Sequence, residues 1–275
     1  MRRCYIHHAW KGTWRSTRMK KVILISVDGM RPDGFLACGH PFAGEMMKRG
    51  AYTLQGRTVF PTVTLPCHMS MFHSVPPTRH GITTNFYMPP VRPVNGLFEQ
   101  IKLMGGVSAY YYGWDHLRDV ARPANVKYAG YINAYAGDRT DRQRTDMAMA
   151  RIDESRPDFV FLHLVEPDEK GGHACGWMSK EYLECIREAV EQVKRLYEAY
   201  GEEYTVIVTA DHGGHDRCHG TELPEDMTIP FFFIGRRFTP GRQLEDVSIL
   251  DIAPTIADLM SVPRAPEWEG KSLAE

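Results

Sequence analysis

The feature that most limits what this chain can become is a set of short, continuously apolar runs that lead into polar turns. "KVILISV" spans Lys21 to Val27, and Asp28 follows directly. "DFVFLHL" spans Asp158 to Leu164, with Asp168 shortly after. "YTVIVTA" covers Tyr204 to Ala210 and runs into Asp211 and His212. "VSAYYYG" (Val107 to Gly113) and "IPFFFIG" (Ile229 to Gly235) have the same character. Runs of this length without apolar–polar alternation predict strands covered on both faces, as in a largely parallel sheet.

Between these runs lie helical patterns. After Ser179, Leu183, Ile186, Val190, Val193, Tyr197 and Tyr200 recur at three- and four-residue steps, and Gly201 ends the pattern. "LDIAPTIADLM" (Leu250 to Met260) and "TDRQRTDMAMARIDES" (Thr140 to Ser155) predict two more helices, the latter closed by Pro157. Strands interleaved with helices predict an α/β fold: a three-layer sandwich with a largely parallel central sheet flanked by helices. Ligands in such sheets bind at the carboxyl ends of the strands.

Composition narrows the function classes. With 43% hydrophobic residues over 275 positions, the chain can bury a sizeable core. A formal net charge of −1, with no long run of one sign, argues against a nucleic-acid polymer as partner. No stretch approaches the length of a membrane span. The opening "MRRCYIHHAWKGTWRSTR" is basic and aromatic and has no apolar core, so it does not read as a secretory signal. Residues 1–18 are expected to be a leader or loosely docked tail, and 19–275 one catalytic α/β domain. The six cysteines, Cys4, Cys38, Cys67, Cys175, Cys185 and Cys218, form no C-x-x-C pair. Reduced thiols and a cytoplasmic location are the expectation.

The candidate functional residues stand at strand ends. Asp28, Asp168 and Asp211 each follow an apolar run, and His212, His173 and His219 lie close to them in sequence. Three aspartates and three histidines suit zinc or a neighbouring divalent ion. They are more ligands than one tetrahedral site needs, so two metals are expected, as in phosphoryl chemistry. A nucleophile is then needed. Thr64, in "TVFPTVTLPCHMSMFHS", sits where β-branched residues give way to a helix-like pattern, with Pro66 suited to a first turn. A hydroxyl there would lie beside free backbone N–H groups that favour a phosphate. Taken alone, Thr64 would be an ordinary N-cap.

"LISVDGMRPD", "FPTVTLPCHMSMFHSVPPTRHGI", "EPDEKGGHACGW", "ADHGGH", the His219-Gly220 pair and "DIAPTIADLM…EGKSL" occur in this order. Together they resemble the alkaline phosphatase superfamily, and within it the nucleotide pyrophosphatase/phosphodiesterase branch, from about Lys20 onward. The resemblance implies a metal-dependent phosphodiesterase acting on a small-molecule phosphate ester. Its cofactors would be two divalent ions, zinc first, with manganese or magnesium as the alternatives. Thr64 would be the nucleophile and would form a phosphothreonine. Asp28, Thr64, Asp211 and His212 would surround one metal; Asp168, His173 and His219 would hold the other. Asn85, in "GITTNFY", would bind a phosphate oxygen. Monoesterase, phosphonate hydrolase and phosphomutase activities of the same superfamily are the alternatives, and a non-catalytic metal-binding scaffold is the remote one.

The chain departs from the family pattern in four places. The gap from Asp168 to His173 is one residue longer, so counting back from His173 nominates Glu169, whereas the "EPD" match selects Asp168. Leu65 stands where the family has an aromatic residue that packs on nucleotide bases, which weakens the case for a nucleotide substrate. The short stretch between Asn85 and Asp168 implies a minimal cap, and His219 comes unusually early. His40, His68, His73, His80, His116 and His163 are expected to be structural, and His215 to give support or substrate contact. "YYYGW" (Tyr110 to Trp114) reads as strand plus turn. Cys67 falls where sulfatases carry Ser or Ala, so it is not expected to be a nucleophile. Arg31 and Arg79 stand near motif residues as candidate phosphate clamps.

Overall fold

The computed structural model describes residues 19–275, so the leader expected over residues 1–18 lies outside the described residues. The strands are β1 (Lys21–Val27), β2 (Ala51–Arg57), β3 (Ser108–Tyr112), β4 (Tyr128–Tyr131), β5 (Phe159–Leu164), β6 (Tyr204–Thr209) and β7 (Thr228–Ile234). They form one sheet in the order β2-β7-β6-β1-β5-β3-β4. β6, β1, β5, β3 and β4 are mutually parallel. β7 runs antiparallel to both of its neighbours. The central strands are buried along their whole length, as their unbroken apolarity predicts.

The antiparallel strand has a local cause. A parallel neighbour needs a crossover that returns the chain to the other end of the sheet. The segment between β6 and β7 makes no such crossover, so it stays at the carboxyl end of β6. It therefore presents Asp211, His212 and His219 on a single excursion.

The helices are α1 (Pro32–Ala37), α2 (Pro41–Arg49), α3 (Thr64–His73), α4 (Pro77–His80), α5 (Leu97–Leu103), α6 (Thr140–Ser155), α7 (Lys180–Tyr200), α8 (Pro224–Met227) and α9 (Ile252–Met260). α1, α2, α6 and α7 cover one face of the sheet; α3, α5 and α9 pack together on the other. The three helical segments predicted from periodicity appear as α6, α7 and α9. Ser179 caps α7 through a hydrogen bond from Tyr182 N–H. The stretch between Asn85 and Asp168 builds α5, β3, β4 and α6 into these layers rather than a separate cap.

Candidate active site

β1, β5 and β6 are adjacent in the sheet, so their carboxyl ends bring Asp28, Asp168 and Asp211 together. Asp28 N–H donates to Leu164 O at 2.8 Å, which ties the exit of β1 to the exit of β5. Gly29 follows with φ +66°, and a Cβ there would stand 3.0 Å from Oδ1 of Asp168. A side chain would be both strained and in the way. Gly214 has no room for one either, because its Cβ would fall 2.2 Å from the Trp177 ring.

Asp28, Asp211 and His212 form one buried group. Nε2 of His212 lies 3.4 Å from Oδ1 of Asp28 and 3.4 Å from Oδ2 of Asp211. The imidazole Nδ1 donates to Gly213 O at 2.7 Å, so Nε2 carries the lone pair and faces the carboxylates. Oδ1 of Asp211 accepts from Gly29 N–H and His212 N–H, leaving Oδ2 to point inward.

Asp168, His173 and His219 form the second group. Both histidines repeat the orientation device. His173 Nδ1 donates to Arg217 O at 2.9 Å, and His219 Nδ1 donates to Thr62 O at 2.8 Å. Their Nε2 atoms lie 3.4 Å and 3.8 Å from the Asp168 carboxylate. The His219 and His212 rings stack at 3.9 Å, joining the two groups.

The extra residue between Asp168 and His173 has a structural explanation. Pro167–His173 is a turn of π-helix. In that geometry residues five apart share a face, as residues four apart do in an α-helix. Asp168 therefore faces His173 despite the longer spacing. Glu169 turns away and accepts from the Tyr135 hydroxyl.

Three carboxylate oxygens, Oδ1 of Asp28, Oδ1 of Asp168 and Oδ2 of Asp211, are buried without a hydrogen-bond partner among the described residues. Burial and the neighbouring charges of Asp211, Asp168 and Glu169 push the Asp28 carboxyl well above the usual range. Burial, Asp211 and Glu169 do the same to Asp168. Burial and the neighbouring His212 hold His219 down to about 3, so its ring is neutral. Orphaned carboxyl oxygens facing imidazole Nε2 atoms make a donor set that a divalent cation in each group would satisfy.

Thr64 is the first residue of α3, whose N-cap is Val63, so its hydroxyl does not cap the helix. Oγ1 instead lies 3.1 Å from Nε2 of His212. Asn85 Oδ1 accepts from Leu65 N–H at 3.1 Å, which pins the Asn85 loop to the start of α3. Its amide nitrogen has no partner among the described residues. This corrects one expectation. Leu65 N–H is occupied, Pro66 has none, and Cys67 N–H bonds to Val63 O, so the turn offers a phosphate fewer free backbone donors than its sequence suggests.

Leu65 is buried and presents nothing to a substrate. Burial pushes the Cys67 thiol up, in keeping with an inert side chain. Arg31 spends its guanidinium on Asp33 and Gly214 O, and Arg79 bonds to Arg92 O. "YYYGW" is β3 and the turn after it, as expected. His40 caps α2. His73 and His80 bond inside their own layer. His116 stacks on Trp114.

Two histidines expected to be only structural touch the site. His163 Nε2 donates to Oδ2 of Asp28 at 3.0 Å. His68 Nδ1 donates to Thr64 O at 2.8 Å and lies 3.5 Å from Oδ2 of Asp211. The available signal is a histidine inside each of two apolar segments, "FVFLHL" and "LPCHMSMF". Trp177 closes one wall, its indole N–H on Gly29 O and its ring edge-on to His173 and His219.

Two family models match successive parts of the chain. Residues 102–264 match the Metalloenzyme superfamily, and residues 22–103 match the type I phosphodiesterase / nucleotide pyrophosphatase family. A 2,3-bisphosphoglycerate-independent phosphoglycerate mutase of Clostridium botulinum is 31% identical over 136 residues, 47% of this chain and 26% of that protein. The same enzyme of Desulforudis audaxviator is 31% identical over 137 residues, 48% of this chain and 26% of its own length. The chain thus spans about a quarter of the length of the curated relatives it matches. Among solved structures, murine ectonucleotide pyrophosphatase / phosphodiesterase 5 superposes with a TM-score of 0.74 at 17% identity, covering 92% of this chain and 98% of that one. A phosphonate monoester hydrolase of Silicibacter pomeroyi gives 0.73 at 15% identity, covering 92% and 76%. At these identities the structural likeness is one of fold.

Proposed function

The chain belongs to the metalloenzyme superfamily, with the fold of its alkaline phosphatase-like phosphoesterases, and from that premise we propose that it is a two-metal phosphodiesterase acting through Thr64. The observation that carries the reading is the position of the Thr64 hydroxyl, 3.1 Å from Nε2 of His212 at the first acid–histidine group. Asp28, Asp211 and His212 would hold one ion beside Thr64. Asp168, His173 and His219 would hold the second. The mixed nitrogen and oxygen donors suit zinc first, with manganese or magnesium as the alternatives. When bound, two such ions supply charge for the phosphoryl oxygens and favour ionisation of a hydroxyl.

The chain's own residues supply position. Oγ1 of Thr64 attacks phosphorus as the P–O bond to the leaving alcohol breaks, the phosphoryl group stays on Oγ1, and water then cleaves the P–Oγ1 bond to release the product and restore the hydroxyl. The unpartnered amide of Asn85 is held next to α3, where it can donate to a non-bridging oxygen. The Nδ1–H bonds keep the three imidazoles in one tautomer through the cycle. Residues 19–275 are taken as one catalytic unit, and the substrate as a small phosphate ester.

A diester is preferred over a monoester because the site pairs a threonine with an asparagine. Arg31 and Arg79, the arginines nearest the motifs, are engaged elsewhere. A phosphomutase is the second reading, favoured by the bacterial mutases that align with nearly half of the chain. The deciding experiment compares kcat/KM for bis(4-nitrophenyl) phosphate and 4-nitrophenyl phosphate on zinc-loaded protein. A diester preference supports the reading. A monoester preference moves the protein to the phosphatase side. No hydrolysis of either, with phosphoryl transfer between hydroxyl acceptors, would replace it by the mutase.

A further inference from the structure

The excursion after β6 carries a second set of reactive side chains that the proposed chemistry does not use. His215 and Cys218 face each other across a tight turn. His215 N–H donates to Cys218 O at 2.9 Å, and Cys218 N–H donates back to His215 O at 2.9 Å. This pairing sets Sγ of Cys218 3.4 Å from Nε2 of His215. The far side of the ring is fixed as well, with Nδ1 2.7 Å from Oδ1 of Asp226. Asp226 is buried, and its other oxygen accepts from the N–H and hydroxyl of Thr221 at 2.9 Å and 2.8 Å. A carboxylate only accepts, so the ring proton sits on Nδ1 and the Nε2 lone pair faces the sulfur. Sulfur, ring and carboxylate stand in series across the imidazole. They do not converge on a point, so they form no metal cage. The order is that of a nucleophile, a base and the acid that orients it.

We propose that Cys218 is a reactive thiol, a modification site that exchanges with low-molecular-weight disulfides. Its sulfur attacks one sulfur of the disulfide, and the old S–S bond breaks as the new one forms. The thiol proton passes to Nε2 of His215 and on to the departing sulfur. One disulfide becomes a mixed disulfide plus one free thiol, with no further oxidant. No other described cysteine has its sulfur against an imidazole. Cys38 and Cys67 are buried, Cys175 and Cys185 are partly buried, and burial pushes the Cys185 thiol up to about 12. Cys218 is exposed.

The same turn orients the second acid–histidine group. Arg217 O accepts from His173 Nδ1, and Asp216 O accepts from Trp177 N–H at 2.8 Å.

The test treats the metal-loaded full chain with dithiobis(nitrobenzoate) at fixed pH. It follows release of the coloured thiol and maps the first adduct by peptide mass. Cys218 should carry that adduct, reacting about tenfold ahead of any other cysteine. C218S should remove the fast phase, and H215Q should slow it by about tenfold. A first adduct on another cysteine, or a fast phase unchanged in H215Q, overturns the proposal. Wild-type protein treated with oxidised glutathione and mapped in the same way should also carry its first adduct on Cys218, a result that does not depend on the fold of a variant.

Discussion

Oγ1 of Thr64 lies 3.1 Å from Nε2 of His212, and that same nitrogen is 3.4 Å from both Asp28 and Asp211. The hydroxyl therefore belongs to the polar cluster rather than to the helix it begins. Val63 holds the N-cap position and no side chain caps α3, so the Thr64 hydroxyl has no capping role.

That separation makes Thr64→Ala a clean experiment. The substitution removes Oγ1 and the γ-methyl and leaves Asp28, Asp211 and His212 in place. Turnover of a diester should fall by about a thousandfold or more, on the scale of other lost nucleophiles. Zinc content should stay at the wild-type value. Thr64→Ser should recover part of the activity. Retained turnover in the alanine variant would remove Thr64 from the mechanism.

The π-turn makes a second prediction, about metal rather than rate. Asp168 faces His173 and His219, while Glu169 is bonded to Tyr135. D168N should lose one of two bound equivalents, read by elemental analysis after dialysis against trace zinc. E169Q should keep both. The reverse pattern would mean that the chain counts back from His173 in the usual family spacing.

Asn85 tests the substrate side. Its Oδ1 holds Leu65 N–H, and its amide is free to donate. Asn85→Ala should lower kcat/KM for a diester by about a hundredfold, as for loss of one oxyanion donor. Stability should change by only about 1 kcal/mol, the net worth of one hydrogen bond. A variant that melts early and keeps full kcat/KM would reduce Asn85 to a loop clamp.

What the sequence discloses depends on whether a residue's neighbours share its strand. Asp28, Asp168 and Asp211 are legible because the polarity of a parallel sheet places every strand's carboxyl end on one side. α6 is legible from Thr140 to Ser155 because Pro157 and the charged spacing bound it. The edge strands are not. β4 is four residues long and alternates half-buried with exposed positions, and β2 alternates along most of its length, so neither shows a continuous apolar run. The contacts of His163 and His68 depend on which strand and helix lie opposite, information that no local pattern holds. The same is true of the backbone carbonyls that fix His173, His212 and His219. The π-turn is visible in the sequence only as an irregular spacing, which does not say which acid turns inward.

The titrations of the metal-free chain predict an unusual stability profile. Asp28 and Asp168 are held above their unfolded value of about 3.9, so the folded chain binds more protons there than the unfolded chain. Their contribution is complete below that value and is lost as pH rises through the raised folded values. Histidines in the helical layer act in the opposite sense. Burial holds His73 down to about 3 and His80 down to about 4, against about 6.5 unfolded. Their contribution is complete above about pH 6.5 and is lost as pH falls toward 4 and then 3. Without metal, stability should fall on both flanks. A divalent ion displaces protons from Asp28 and Asp168, so it should remove the alkaline loss, whereas the acid limb, to which buried His73, His80 and His219 all contribute, should remain. The measurement is a series of thermal melts across pH with and without zinc. The gain in Tm from zinc should grow with pH and vanish on the acid side. A gain that is the same at every pH would mean that the bound ion does not replace protons on these two aspartates.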